Sequence, residues 1–383
     1  MRNLFTLIGI GAAVLLLLFA SLPGCAPAPE KVAYENYVAS LPAGCEPVPP
    51  ECFEQAIEEG ELYLYDWAGW WPEEIFEGFS EEFGIEITRD HYADVEEVRA
   101  KLSLYPETPL DLITGIGIST SLILREVGAA GEMNPDWMPN VLGYMPEELM
   151  ELEHDPGLKY SIPTDLYFTC YVYNKEIVDD PRIPSWAVLF EPEEEFYGRI
   201  TLVADMHETI GPALKYLGYN FYSDDEAELM EARDLLLELK PHVMAFDSWP
   251  RGLLLGDEAW ISGLWYGDGW FLNEEHEAIV SALPAEGTNL GIDITVHPIG
   301  SPNPAAAHLF LNYLFRPEVN AMFIEAIWYS PVHTAVTELL SEEVLRVVTF
   351  PQGYLDKCDA FDPRAITGIG LKLRTEIWEE VRR

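Results

Sequence analysis

Acidic and aromatic side chains recur together where apolar runs of the chain end. An alternating run, Leu62-Tyr-Leu-Tyr65, delivers Asp66, Trp67, Trp70 and Trp71 ahead of Pro72. Asp205-Met-His-Glu208 follows the apolar run at 199–204, and Trp265-Tyr-Gly-Asp268 follows another. Asp293 comes after Ala285-Glu-Gly287, Tyr329 sits in Trp-Tyr-Ser-Pro, and Asp362 lies near the C-terminus. None of these acids has a Lys or Arg directly beside it in the chain. The pattern suits a protonated amine. An ammonium taken out of water needs carboxylate partners, because an unpaired buried charge costs several kcal/mol. Ring faces wall the methylenes and attract the cation by roughly 0.5–2 kcal/mol. The spacing between acids then selects chain length.

Local sequence leaves other uses open for the same residues. The tryptophan-rich turn at 62–72 is equally a core cluster. Asp205 as N-cap with Glu208 three residues on is a helix-capping box that needs no ligand, and His207 with both acids is a metal alternative. Paired carboxylates also serve glycoside hydrolysis. Catalytic templates are missing from the 383 residues: there is no Gly-x-Ser-x-Gly elbow, His-Glu-x-x-His pair or phosphate-binding loop. Gly115-Ile-Gly117 lacks the third glycine of a dinucleotide turn and reads as a tight strand-to-helix loop.

Strands and helices must carry these groups to one place. The spacing predicts a strand at 62–67 and a helix from Pro72 to Phe83 with Ile75, Phe76, Phe79 and Phe83 on one face. A strand at 85–92, a helix behind Asp94 and Glu97, and a buried strand at 110–114 complete β-α-β-α-β. Ser161 to Asn174 reads as one long apolar strand, and 199–205 as another. Helices at 208–219 and 225–240 follow, then short strands at 243–246, 259–265, 279–283 and 292–296, and a mainly helical end. No internal repeat is evident. The expectation is an α/β protein of two lobes, each a mixed, mostly parallel sheet flanked by helices, with the site between them.

Composition narrows the partners. A formal charge of −44, with eight lysines against 66 acids, repels nucleic acid and anionic lipid surfaces. Residues 1–25 read as a secretory leader: Arg2 precedes an apolar stretch from Leu4 to Ala20, too short and wrongly flanked for a membrane span. Leu22-Pro-Gly-Cys25 resembles a lipobox, which makes Cys25 the lipidated N-terminus of the mature chain and 26–57 a tether rich in Pro, Ala and Glu. Of the remaining cysteines, Cys45 and Cys52 are close enough in sequence to pair in an oxidising compartment, and Cys170 reads as a buried thiol. No Cys-x-x-Cys pair suggests a structural zinc site.

From about Glu61 to Arg383 the chain resembles the spermidine/putrescine-binding proteins, the extracytoplasmic receptors of polyamine ABC importers. The opening Leu-Tyr-Leu-Tyr-Asp-Trp, Ser161-Ile-Pro, Pro184-Ser-Trp186-Ala and Asp205-x-x-Glu208 carry the resemblance. So do Ala245-Phe-Asp-Ser248, Leu264-Trp-Tyr-Gly-Asp268, Leu314-Phe-Arg-Pro-Glu-Val319 and Trp328-Tyr-Ser-Pro331, in the family's order. The resemblance implies a two-lobed periplasmic-binding-protein-like fold of type II, with lobe 1 at 58–168 plus 291–337 and lobe 2 at 169–290 plus 338–383. It implies ligand contacts at Trp67, Trp70, Asp205, Glu208, Ser248, Trp265, Asp268, Asp293, Tyr329 and Asp362. Putrescine or spermidine would be the ligand, passed to a permease whose separate ATPase supplies the energy. The receptor would be a monomer without cofactor or metal and not an enzyme, held outside the cytoplasm by the lipid on Cys25. A receptor for a metal ion or other cationic solute, or a carboxylate-dependent hydrolase, is the alternative. Two departures stand out: Gly291 replaces an aromatic, which is expected to open one wall of the groove, and the family's Ser and Tyr have no match in 115–120.

Overall fold

The computed structural model describes residues 33–383. Residues 1–25 with their lipobox cysteine Cys25 lie outside that range. Among the described residues, twelve strands form two sheets. They are β1 (Glu61–Trp67), β2 (Glu86–Tyr92), β3 (Leu112–Gly117), β4 (Ser161–Tyr167), β5 (Thr169–Asn174) and β6 (Ile200–Leu202), followed by β7 (Val243–Phe246), β8 (Ile261–Trp265), β9 (Ile279–Ala282), β10 (Asn289–Val296), β11 (Ser330–Pro331) and β12 (Asp359–Ala360). The first sheet runs β2-β1-β3-β10-β4-β11, with β12 beside β10, and the second runs β7-β6-β8-β5-β9.

The two sheets share one plan. In each, three parallel strands come from consecutive β-α units: β2-β1-β3 in the first sheet and β7-β6-β8 in the second. An antiparallel strand then arrives from the other side of the molecule, β10 against β3 and β5 against β8. The alternation at 61–67 explains β1: Leu62 and Leu64 enter one core and Tyr65 the core on the opposite face. Helix Glu73–Phe83 lays Ile75, Phe76, Phe79 and Phe83 into that first core as its spacing predicts. The second sheet is covered by Met206–Tyr216 and Glu226–Leu239, whose apolar faces share a core with the C-terminal helix Gly368–Arg382.

Two expectations fail here, and one alternative that the sequence leaves open is decided. The run 161–174 is two strands: β4 belongs to the first sheet and β5 to the second, with Phe168 between them. An unbroken apolar run serves two cores in succession, and no Gly or Pro marks the junction. The chain passes between sheets again from β9 to β10, and once more between β11 and the C-terminal helix. Next, the described part of the expected tether is folded. Helices Tyr34–Ser40 and Pro50–Glu59 bury Tyr37, Cys52, Phe53 and Ala56 in the first core, joined by Val48 from between them, and Tyr37 stacks on Phe53 at 4.8 Å. Two aromatic rings in a polar segment, Tyr37 and Phe53, find an apolar partner in Phe83. Finally, Cys45 and Cys52 are free thiols, the latter buried against the Ala305 carbonyl. Among the described residues no helix is long and apolar enough to cross a membrane.

Candidate functional site

The carboxyl ends of β1, β3, β6, β7 and β8 converge on a cavity of about 500 Å³ between the sheets, the position where α/β folds bind ligands. Trp67, Trp70, Asp205, Glu208, Ser248, Trp265, Asp268, Asp293 and Tyr329 all line it. Asp362 does not. It caps the short turn Pro363–Ile366 and its carboxylate receives Arg364 Nε at 3.0 and 2.9 Å, so the acid is spent on its own neighbour.

The turn after β1 sorts its four residues by chemistry. Asp66 is fully buried, holding Arg89 Nε at 2.8 Å and His91 Nδ1 at 2.5 Å. Trp71 stacks on Phe323 at 4.4 Å in the core. Trp67 and Trp70 are left for the cavity. The Trp67 indole donates to Gly115 O at 2.7 Å. Both rings lie over Gly115, which has φ +71° and where a Cβ would come within 2.8 Å of each. A side chain at 115 would push the two tryptophans off the wall. Tyr329 continues that wall edge-on to Trp70, with ring centroids 6.0 Å apart.

The second sheet brings acids on helix N-termini. Asp205 caps Met206–Tyr216, accepting from His207 N at 2.7 Å and Glu208 N at 3.1 Å. The capping alternative is therefore realised together with exposure to the cavity. Glu208 does not complete the box. Its oxygens accept from Thr169 Oγ1, from Tyr167 Oη at 3.3 Å and from Asn289 Nδ2 at 3.3 Å. Burial, and then the neighbouring Asp205, push its carboxyl up to about 8. Asp268, in the first turn of helix Tyr266–Glu275, accepts from Tyr329 Oη at 3.0 Å, and burial pushes it up to about 7.

Asp293 on β10 stands directly opposite Asp165 on β4. Asp165 has no exposure, and Thr164 Oγ1 donates to its Oδ2 at 3.0 Å. Burial raises both carboxyls, and facing Asp165 raises Asp293 further. A proton shared between the two relieves the repulsion of like charges. Asp165 was not foreseen, although an acid inside the apolar run 161–167 was its signal, since a fully buried carboxyl demands a partner. Among the described residues no Lys, Arg or His forms an ion pair with Asp165, Asp205, Glu208, Asp268 or Asp293. The arginines at the cavity, Arg99 and Arg251, pair with Glu96 and Glu275. Nor does any group of three His, Cys, Asp or Glu among the described residues have the geometry to hold a metal ion.

The expectation about Gly291 fails in an informative way. Tyr167 of β4 lies over it, with ring atoms 2.2–2.5 Å from where a Cβ would stand, and the same ring lines the cavity. That wall is filled from the neighbouring strand. The segment 115–120 also reaches the cavity, through Gly115, Gly117, Ile118, Ser119 and Thr120.

Two α/β lobes with a cleft of acids and rings between them define a solute-binding protein. The chain belongs to the family of bacterial extracellular solute-binding proteins, whose pattern it matches over residues 74–351. It is 30% identical over 292 residues to the spermidine/putrescine-binding periplasmic protein of Escherichia coli, covering 76% of this chain and 82% of that one. Identity is also 30% over 295 residues to a putrescine/cadaverine-binding protein of Pseudomonas aeruginosa, covering 72% and 78%. Among solved structures, a putative spermidine/putrescine ABC transporter from Listeria monocytogenes superposes with a TM-score of 0.76 at 25% identity, over 84% of this chain and 99% of that one. The protein is thus a substrate receptor of the transport type and not an enzyme.

Proposed function

We propose that this receptor binds a linear polyamine, putrescine or spermidine, between its lobes and hands it to the permease of an ABC importer. Lobe 1 comprises 58–168 with 291–337, to which the helices at 34–59 add their apolar side chains, and lobe 2 comprises 169–290 with 338–383. Lipid on Cys25 anchors the mature chain at the outer face of the membrane. The observation that carries the reading is the charge imbalance of the cleft: Asp205, Glu208, Asp268 and Asp293 line one cavity beside Trp67, Trp70, Trp265 and Tyr329, without a protein cation paired to any of the four acids among the described residues. Burial raises the pKa of Glu208, Asp268 and Asp293, and an ammonium supplies the missing charge. A volume near 500 Å³ falls within the roughly 300–1,000 Å³ of small-molecule sites. The names of the relatives point the same way.

Calorimetry against putrescine, cadaverine, spermidine and spermine tests the reading. Heat from at least one amine, abolished by Asp293→Asn and reduced by Trp265→Ala, is expected. No heat from any amine, or heat unchanged in both variants, sinks it. Mass spectrometry of the membrane-extracted chain decides the anchor: a diacylglycerol mass on Cys25 is expected, and an unmodified N-terminus further upstream refutes it.

A further inference from the structure

The ring above Gly291 bears on ligand choice. β4 and β10 are antiparallel neighbours, and Gly291 is paired directly with Tyr167. Directly opposed residues on an antiparallel pair point to the same face, so both positions address one volume at the cavity wall. Gly291 leaves that volume free and Tyr167 takes it: a Cβ at 291 would meet Cζ at 2.2 Å, Cε2 at 2.4 Å and Cε1 at 2.5 Å. A phenol ring is rigid and bonded at its tip, so it cannot yield to such a contact as a long flexible chain would. The tip is held from across the cleft, where Tyr167 Oη donates to Glu208 Oε1 at 3.3 Å. Glu208 belongs to the helix after β6, so the contact joins the two sheets' sides of the cavity.

We infer that Tyr167 is a specificity-determining residue of this receptor: its ring is the wall for the ligand segment beside Glu208, and its hydroxyl orients the Glu208 carboxylate towards a ligand ammonium. The inference rests on the polyamine reading. The ring replaces on β4 what a side chain at 291 would provide on β10, displaced by one strand and hydrogen-bonded to an acid. A wall made this way carries its own link to a charged partner. Methylenes packed on the ring therefore lie at a fixed offset from Glu208, and that offset selects among amines of different length.

A four-variant cycle tests this on residues 33–383, which lie within one compact body. The variants are Tyr167→Ala, Gly291→Ala, the double variant, and Tyr167→Phe. Melting temperatures without added amine address the shared volume. Gly291→Ala is expected to lower the melting temperature in the native background and to cost little or nothing beside Tyr167→Ala. Equal losses in both backgrounds overturn the shared volume. Calorimetry with putrescine and spermidine addresses the ligand role. Tyr167→Ala is expected to weaken binding at least tenfold and to change the ratio of the two affinities, and Tyr167→Phe to weaken binding severalfold with the ratio kept. Binding by the native chain that is unchanged in Tyr167→Ala overturns this inference alone. Absence of binding by the native chain overturns the polyamine reading and the ligand role of Tyr167 with it.

Discussion

The two sheets have one strand plan yet equip their halves of the cleft differently. Among the described residues, the second presents its acids without an ion-pair partner in the first turns of helices, with Asp205 at an N-cap and Glu208 and Asp268 within the first turn, while Glu275 at a helix C-terminus is paired with Arg251. The first presents rings, Trp67, Trp70, Tyr167 and Tyr329, with Asp94 capping helix Val95–Leu104 and Asp293 in the body of a sheet opposite another carboxyl. Helix N-termini tolerate anions through free N–H groups and the helix dipole. A central strand offers neither, because its amides are spent on the ladder. Asp205 accordingly has two backbone donors, whereas Asp293 has Asp165. The same charge is thus structurally committed on one side of the cleft and uncommitted on the other.

The sharpest way to break this comparison is to neutralise one acid from each side. Asp293→Asn removes a carboxylate whose only strong partner would be the ligand, and losing one side of a buried charge pair costs about 2–5 kcal/mol of affinity. Asp205→Asn keeps an oxygen for the helix cap, so melting should stay near the native value while affinity falls by less than in Asp293→Asn. Asp205→Ala removes the cap as well and should lose about 0.5–2 kcal/mol of stability. Calorimetry and thermal melts on the three variants check this. Equal affinity losses in Asp205→Asn and Asp293→Asn would erase the distinction.

Protonation sharpens it further. Asp268 and Glu208 are raised from 3.8 and 4.5 to about 7 and about 8. A carboxyl whose folded value is raised favours the folded chain fully below its unfolded value, and that contribution is lost as the pH rises through the folded value. Without added amine, the contribution of these two groups therefore falls as the pH rises from about 4 to about 8, and the melting temperature falls with it, whereas saturating amine should flatten the curve. Binding must expel the protons, so affinity rises with pH below these values, by about tenfold per pH unit for each proton released. Calorimetry in buffers of different ionisation heat counts the protons. A flat affinity from about pH 6 to 8 would show that the carboxyls are already ionised.

Much of this was legible because local rules and tertiary needs agreed. The β-α-β-α-β opening and the helices after Asp205 and Asp225 follow from apolar spacing and caps. Aromatic-plus-acid endings picked out eight residues that share the cavity, because strand ends are where such a fold gathers ligand groups, and the family resemblance added Ser248. What escaped depended on partners distant in sequence. Phe168 gives no sign that the chain changes sheet there, and the helices at 34–59 owe their place to Phe83 and the Ala305 carbonyl. Tyr167 and Gly291 are 124 positions apart in numbering and become one feature only through the β4–β10 register. Asp362 misled because an acid beside an aromatic two residues before an arginine is also a capped, locally paired turn.

The smallest effect probes the uncommitted side most directly. Asp165 does not line the cavity, so an effect of Asp165→Asn on binding must pass through Asp293. The groups acting on Asp293 are Asp165 from β4 and Asp268 from the helix after β8, and Tyr329 Oη is already given to Asp268. With Asp165 neutral, one of the two like charges is gone and an amide N–H becomes available to the remaining carboxylate. Asp293 then ionises at lower pH than in the native chain. Amine affinity at about pH 8 should change by less than threefold, while the pH at which affinity reaches half its maximum moves down by roughly one unit. An unmoved pH profile would mean that Asp165 bears no share of the proton that Asp293 holds.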